Sequence, residues 1–149
     1  MRCVVQRVSR SRVTVDGEET GRIERGFMVL FGAQDGDTQA DMDYCVKKIC
    51  GLRVFEDEND KMNLSLKDVG GKVLLVSQFT LLGDARHGNR PSFSNAARPE
   101  AAAPMMEQMK AAIEAQGIPV ETGRFQTHMM VELVNDGPVT ILLDSRKGF

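Results

Sequence analysis

Val73-Leu74-Leu75-Val76-Ser77-Gln78-Phe79-Thr80-Leu81-Leu82 is the stretch whose reading decides the fold. Its first four residues form an unbroken apolar run, the pattern of a strand covered on both faces, whereas a half-exposed strand alternates. Ser, Gln and Thr follow at once. Polar side chains at the end of a buried strand must hydrogen-bond nearby or face a cavity. The stretch reads as a long strand, Lys72–Leu82, introduced by Gly70-Gly71 and ending at a place to look for chemistry.

Working outward, Arg2–Val8 alternates like a strand, followed by Val13–Val15, a turn at Asp16-Gly17, a strand around Thr20–Ile23 and a buried strand at Phe27–Phe31. Thr38-Gln39-Ala40-Asp41 resembles a capping box. Met42, Cys45, Val46 and Ile49 then recur at helical spacing, with Gly51 as the stop. Leu52–Phe55 reads as a short strand and Glu56–Lys61 as an acidic turn; its Asp57-Glu58-Asn59-Asp60 cluster lacks the Gly and the terminal Glu of a calcium loop. A second helix has Pro99 or Pro104 in its first turn, one face traced by Met105, Met109, Ala112, Ile113 and Gln116, and Gly117 at its end. The pairs Met105-Met106 and Met129-Met130 read as core filling. Ile118–Glu121, Gln126–Val134 and Val139–Asp144 supply the last strands. With no repeat or linker, the expectation is one α/β domain over residues 1–149, a mixed sheet covered by two helices.

A second stretch, Asn135-Asp136-Gly137-Pro138-Val139-Thr140, joins two apolar runs. Gly has the most backbone freedom and Pro has a fixed φ and no N–H, so such a bend can present bare backbone. The cis form of an X-Pro bond lies only about 0.5–1 kcal/mol above trans, which makes Gly137-Pro138 a candidate cis peptide. An ordinary four-residue hairpin loop is the alternative reading.

Composition narrows the chemistry. A chain of 149 residues with net charge −2 carries no global basic field for long stretches of nucleic acid. Locally, Arg86, His87, Arg90 and Arg98 lie in the Gly/Asn/Pro/Ser-rich segment Gly83–Pro99, either a phosphate-binding loop or a solvated one. Cys3, Cys45 and Cys50 have no zinc-ligand or thioredoxin-like spacing, so they read as free thiols in a reducing cytosol. No signal peptide or membrane-length apolar run is present, and a cytoplasmic location is expected. His87 and His128 sit in no metal or nucleophile motif, and there is no nucleophile elbow, phosphate-binding Gly loop or dinucleotide fingerprint. Metal sites and cofactors are therefore not expected. Ser77 or Thr80 would need a base to act as a nucleophile. Backbone N–H groups and short hydroxyls at a strand end are instead the ingredients of an oxyanion hole for acyl transfer.

Ser77-Gln78-Phe79-Thr80-Leu81 together with Asn135-x-Gly137-Pro138-Val139-Thr140 resembles the paired signature of the bacterial D-aminoacyl-tRNA deacylases. The resemblance extends over the full length, including Met1-Arg2-Cys3-Val4-Val5-Gln6-Arg7-Val8 and Asn89-Arg90-Pro91-Ser92-Phe93. It implies a homodimeric, metal-independent α/β enzyme that hydrolyses the ester between a D-amino acid, or glycine mischarged on tRNA-Ala, and the 3′-terminal adenosine of tRNA. By the same resemblance, Ser77, Gln78, Phe79 and Thr80 line the reacting ester. Gly137 and Pro138 form a cis-proline chirality filter that reaches into the partner's pocket, Arg7 props that filter, and Ala102, Phe125 and Met129 are pocket wall. Arg86 and Arg90 are the expected RNA-binding residues. The other reading is a non-catalytic module that binds the aminoacylated tRNA end.

Overall fold

The computed structural model describes residues 1–149. Its centre is a parallel pair, β3 (Gly26–Gly32) beside β6 (Lys72–Ser77), in register from Gly26 opposite Lys72 to Phe31 opposite Ser77. A short strand β7 (Val120–Thr122) extends the pair in parallel, and β1 (Arg2–Val15) lies antiparallel on the other side of β3. Parallel neighbours need long crossovers. The first carries helix α1 (Gln39–Gly51) and a small ribbon of β4 (Phe55–Glu56) and β5 (Met62–Leu64); the second carries helix α2 (Pro99–Ala115). The α/β mixed sheet with two covering helices is thus as the sequence indicated.

β1 is one continuous strand where two were expected. Its first half pairs with β3 and its second half with β2 (Glu18–Ile23), while β8 (Met130–Asp144) runs antiparallel along its other edge. The alternation of buried residues slips at Arg7-Val8, which hid the continuity. Beyond the slip the strand serves a second core. Cys3 and Val5 pack with Phe27, Val29, Phe31, Val73 and Leu75 under the helices, whereas Val8, Val13 and Val15 pack with Ile23, Met28, Leu74 and Val76. Both faces of β3 and β6 are therefore covered, which accounts for the unbroken apolar run at Val73–Val76. Each Leu or Val so buried contributes about 1.5–3 kcal/mol relative to exposure.

On α1 the Asp41 carboxylate accepts the Thr38 N–H (2.8 Å) and hydroxyl (3.1 Å), and Met42, Cys45, Val46 and Ile49 are buried as their spacing predicts. On α2 Pro99 opens the first turn, and Pro104 lies one turn further in. Of the expected stripe, Met109 and Ile113 are buried and Met105 and Ala112 pack half-buried against the core, while Gln116 is exposed and Met106, not in the stripe, is buried. The strand expected at Leu52–Phe55 is only Phe55–Glu56.

Two larger corrections bear on function. The strand expected to reach Leu82 stops at Ser77, because its neighbour β3 ends at Gly32 and offers no further ladder. Phe79–Leu82 instead form a 3₁₀ turn that folds back over Gly32, where an added Cβ would lie 2.9 Å from the Gln78 carbonyl oxygen. The Gly137-Pro138 stretch is no hairpin. β8 continues along β1 on both sides of it, with Asn135 opposite Val8 and Thr140 opposite Gln6, so the extra residues bulge out of a single strand. Similarly, the strand expected from Gln126 begins at Met130; Gln126 itself sits in a turn at φ +58°.

Candidate active site

Where β3 and β6 end, the fold leaves a cavity of about 680 Å³. Around those strand ends it is closed by the Ser77–Thr80 stretch, the loop residues Phe93, Ala96 and Ala97, the start of α2 at Pro99 and Ala102, the segment from Phe125 to Met129, and Val131 of β8. Seven residues singled out from the sequence, Ser77, Gln78, Phe79, Thr80, Ala102, Phe125 and Met129, line this one cavity. Arg7, Gly137, Pro138, Arg86 and Arg90 do not.

Local hydrogen bonds place the first group. The Gln78 N–H donates to the Phe31 carbonyl (2.7 Å) as the last rung of the sheet, after which Leu81 N–H donates to Gln78 O (3.2 Å) and Gly83 N–H to Thr80 O (3.0 Å). The first N–H groups of such a turn, those of Phe79 and Thr80, have no acceptor within it. The Gln78 side-chain amide donates to the Thr80 hydroxyl. His128 is the only ionisable side chain on the cavity wall, and no hydrogen bond joins it to Thr80. Phe79, 56 % exposed, meets Phe93 edge to face with ring centroids 5.2 Å apart.

Phe93, Pro99, Thr127 and His128 line the cavity but were not singled out from the sequence as wall residues. Phe93 is brought in by loop pairings: Asp84 and Ser92 exchange backbone bonds (2.7 and 2.9 Å), and Ala97 N–H donates to Ala33 O (2.9 Å). The long basic loop is therefore pinned at both ends. Within it Arg86 forks onto Asp84 (2.9 and 2.6 Å), which holds that carboxyl far below the usual range. Arg86 is already a neutralised cation. Arg90 is exposed and forms no ion pair, and Arg98 lies 3.7 Å from Glu100.

The bulge on β8 is built separately. Arg7 is buried, its side chain 5 % exposed; Nε donates to the Asp136 carbonyl (2.9 Å), and Nη1 donates to the Val54 carbonyl (2.6 Å) and to Glu56 Oε2 (2.8 Å). That hydrogen bond from Arg7 is the main reason the Glu56 carboxyl sits below the usual glutamate range. From the other side, Asn135 Oδ1 accepts the Val139 N–H (2.8 Å), and Asn135 Nδ2 donates to Thr140 (3.0 Å). Gly137 has φ +128°, its bond to Pro138 is cis, and both residues are exposed. A buried arginine thus fixes an exposed loop whose tip touches nothing in its own cavity.

No group of three or more His, Cys, Asp or Glu side chains converges to hold a metal ion, and no helix is long and apolar enough to cross a membrane. The three cysteines are free thiols, with Cys3 and Cys45 buried.

Comparison with known proteins places this arrangement. The sequence model of the D-Tyr-tRNA(Tyr) deacylase family matches residues 4–144. D-aminoacyl-tRNA deacylases of Koribacter versatilis (strain Ellin345) and Clostridioides difficile (strain 630) are 62 % and 60 % identical over 149 residues, covering all of each chain. A solved structure titled c-Myc DNA Unwinding Element Binding Protein superimposes with a TM-score of 0.91 at 41 % identity, over 97 % of this chain and 98 % of that one. Full-length identity at this level, with the family model matching residues 4–144, shows that the chain belongs to the D-Tyr-tRNA(Tyr) deacylase family.

Proposed function

We propose that the protein is a cytoplasmic D-aminoacyl-tRNA deacylase that hydrolyses the ester between a D-amino acid and the 3′-terminal adenosine of tRNA. It releases free D-amino acid and tRNA. The observation that carries the reading is the cavity at the strand end, where Ser77, Gln78, Phe79 and Thr80 converge with Ala102, Phe125 and Met129. The Phe79 and Thr80 N–H groups are the donors for the oxyanion that forms when water attacks the ester. The Thr80 hydroxyl, bonded to an amide and to no base, is not set up as a nucleophile. The terminal ribose hydroxyl of the tRNA assists the attacking water.

The chirality filter is the Gly137-Pro138 bulge, and it acts in trans. Exposed, rigid and outside its own cavity, it fits the pocket of a second copy, so the working unit is a homodimer. L-aminoacyl-tRNAs far outnumber D forms. Rejecting the wrong hand about 10⁴-fold takes about 5.5 kcal/mol, whereas apolar side-chain contacts discriminate by only ~1–3 kcal/mol. A backbone wedge that fixes the amino group excludes an L side chain sterically and leaves D side chains of many kinds pointing outward. Glycine has nothing to exclude, so glycyl-tRNA, including glycine mischarged on tRNA-Ala, is also a substrate. Chiral proofreading in translation follows.

Time-dependent release of tyrosine from D-Tyr-tRNA by purified protein, with no metal added, tests the reading. Tight binding without turnover selects the non-catalytic module instead. Mixed dimers test the trans arrangement: one subunit disabled at the strand end and the other at the bulge retain one intact composite site, and activity absent from both parents reappears.

A further inference from the structure

We infer that Glu56, with the Val54 carbonyl, is the positioning element that holds Arg7 and through it the Gly137-Pro138 bulge. The inference rests on the bulge being the chirality filter. Arg7 is a long side chain, and a single bond from Nε to the Asp136 carbonyl would hold that nitrogen but leave the far end of the guanidinium free. The far end is held by Nη1, which donates to both Val54 O (2.6 Å) and Glu56 Oε2 (2.8 Å). These acceptors come from a segment 47 to 49 residues away, and Asp136 lies 129 residues from Arg7. Arg7 is therefore a strut between two elements that otherwise have no such link.

The arrangement gives the β4–β5 ribbon a purpose. It stands outside the main sheet, and a two-stranded ribbon of this size is marginal alone. Phe55 ties it to the main sheet by stacking on Phe27 (5.2 Å) and lying under the Arg25 guanidinium (5.2 Å), and its own turn is closed by the Asp57 carboxylate, which accepts the Asn59 and Lys61 N–H groups (2.8 and 3.1 Å), and by the Lys61 carbonyl, which accepts the Asp57 N–H (2.9 Å). A ribbon so secured presents Glu56 at a fixed place. Glu56 also sets a direction of pull. The other carboxylate near Arg7 is Asp136 Oδ2, 3.7 Å from Nε and on the bulge itself. With the charge of Glu56 removed, the guanidinium is drawn to Asp136 and away from Val54, and the bulge follows its own strut.

The experiment compares wild type, Glu56→Gln and the double variant Glu56→Gln/Asp136→Asn with D-Tyr-tRNA and L-Tyr-tRNA. Wild type must first spare the L substrate; equal hydrolysis of both hands refutes the filter reading itself. Given wild-type discrimination, Glu56→Gln is expected to raise the L-to-D rate ratio about tenfold, the scale of one charge-assisted hydrogen bond. The double variant, with neither carboxylate competing, returns part of the way. Amide exchange supplies a readout independent of catalysis: Val139 exchanges faster in Glu56→Gln while the amides of α1 do not change. A ratio equal to wild type, an equal loss of both rates, or unchanged exchange at Val139 overturns the role of Glu56.

Discussion

Gly137→Ala is the substitution whose cost follows most directly from the structure. Gly137 sits at φ +128°, outside the left-handed helical well, in a region that costs an L-residue about 1–3 kcal/mol. The new Cβ would also lie 2.9 Å from Arg7 Nη2 and 2.9 Å from a Val139 methyl carbon, both too close, so Arg7 as well as Val139 must give way. Arg7 is buried and hydrogen-bonded on both sides, and displacing it gives up a bond to a charged group worth about 1.5–3 kcal/mol. Together the two effects predict a loss of about 2.5–6 kcal/mol, or roughly 5–24 °C in melting temperature for a chain of this length. Gly17→Ala is the matched control: its φ is +81°, but nothing lies within 4 Å of the added carbon, so only the backbone cost of about 1–2 kcal/mol applies. Thermal and urea unfolding of the two variants separate the effects. Should Gly137→Ala melt together with Gly17→Ala, Arg7 does not press on the bulge, and the account of how the bulge is held is wrong.

Three further outcomes are expected. Thr80→Ala keeps the backbone donor and loses about tenfold in single-turnover rate or less, the scale of one hydrogen bond, while a loss of several orders of magnitude would make Thr80 the nucleophile. Arg90→Gln reduces the slope of log affinity against log salt for tRNA by about one, and Arg86→Gln changes it less because Asp84 already neutralises Arg86; equal slopes for wild type and both variants would leave the loop without a phosphate contact. The Asp41 carboxyl is held below its ordinary value, chiefly by the Thr38 N–H and then by the Ser145 hydroxyl, so its stabilisation is present above the ordinary value and is lost as pH falls through the folded one. Asp41→Asn therefore lowers stability by roughly 0.5–1 kcal/mol at pH 7, and the gap to wild type closes in denaturation curves taken below about pH 3.9; a gap that persists in acid would refute this role.

What the sequence conveyed and what it concealed divide along physical lines. Val73–Val76 and Phe27–Phe31 announced strands covered on both faces because burial on two sides removes alternation, a signal carried by consecutive residues. Met42, Cys45, Val46 and Ile49 were equally local. The end of β6 was not, because Leu81 and Leu82 continue the apolar run, and the strand stops only where β3 runs out of backbone at Gly32. Nor was the bulge on β8. That Asn135 to Thr140 faces only Gln6 to Val8 is a property of two strands far apart in the chain. Gly137-Pro138 was legible as a candidate cis bend that presents bare backbone, but Arg7 was placed by resemblance alone, and the bonds that join the two through Asp136 appear only in three dimensions. Phe93 reaches the cavity through pairings of its loop and His128 on the connection between β7 and β8, and neither leaves a periodic trace.

The most direct test of the central claim is single-turnover hydrolysis of D-Tyr-tRNA and L-Tyr-tRNA, measured side by side at equal enzyme with glycyl-tRNA as the third substrate. Rapid release of D-tyrosine and of glycine is expected, with L-tyrosine release slower by about 10⁴-fold, the ratio that about 5.5 kcal/mol of steric exclusion supplies. Comparable release of D- and L-tyrosine, or rejection of glycine along with L-tyrosine, would contradict a backbone filter that works by excluding the L side chain.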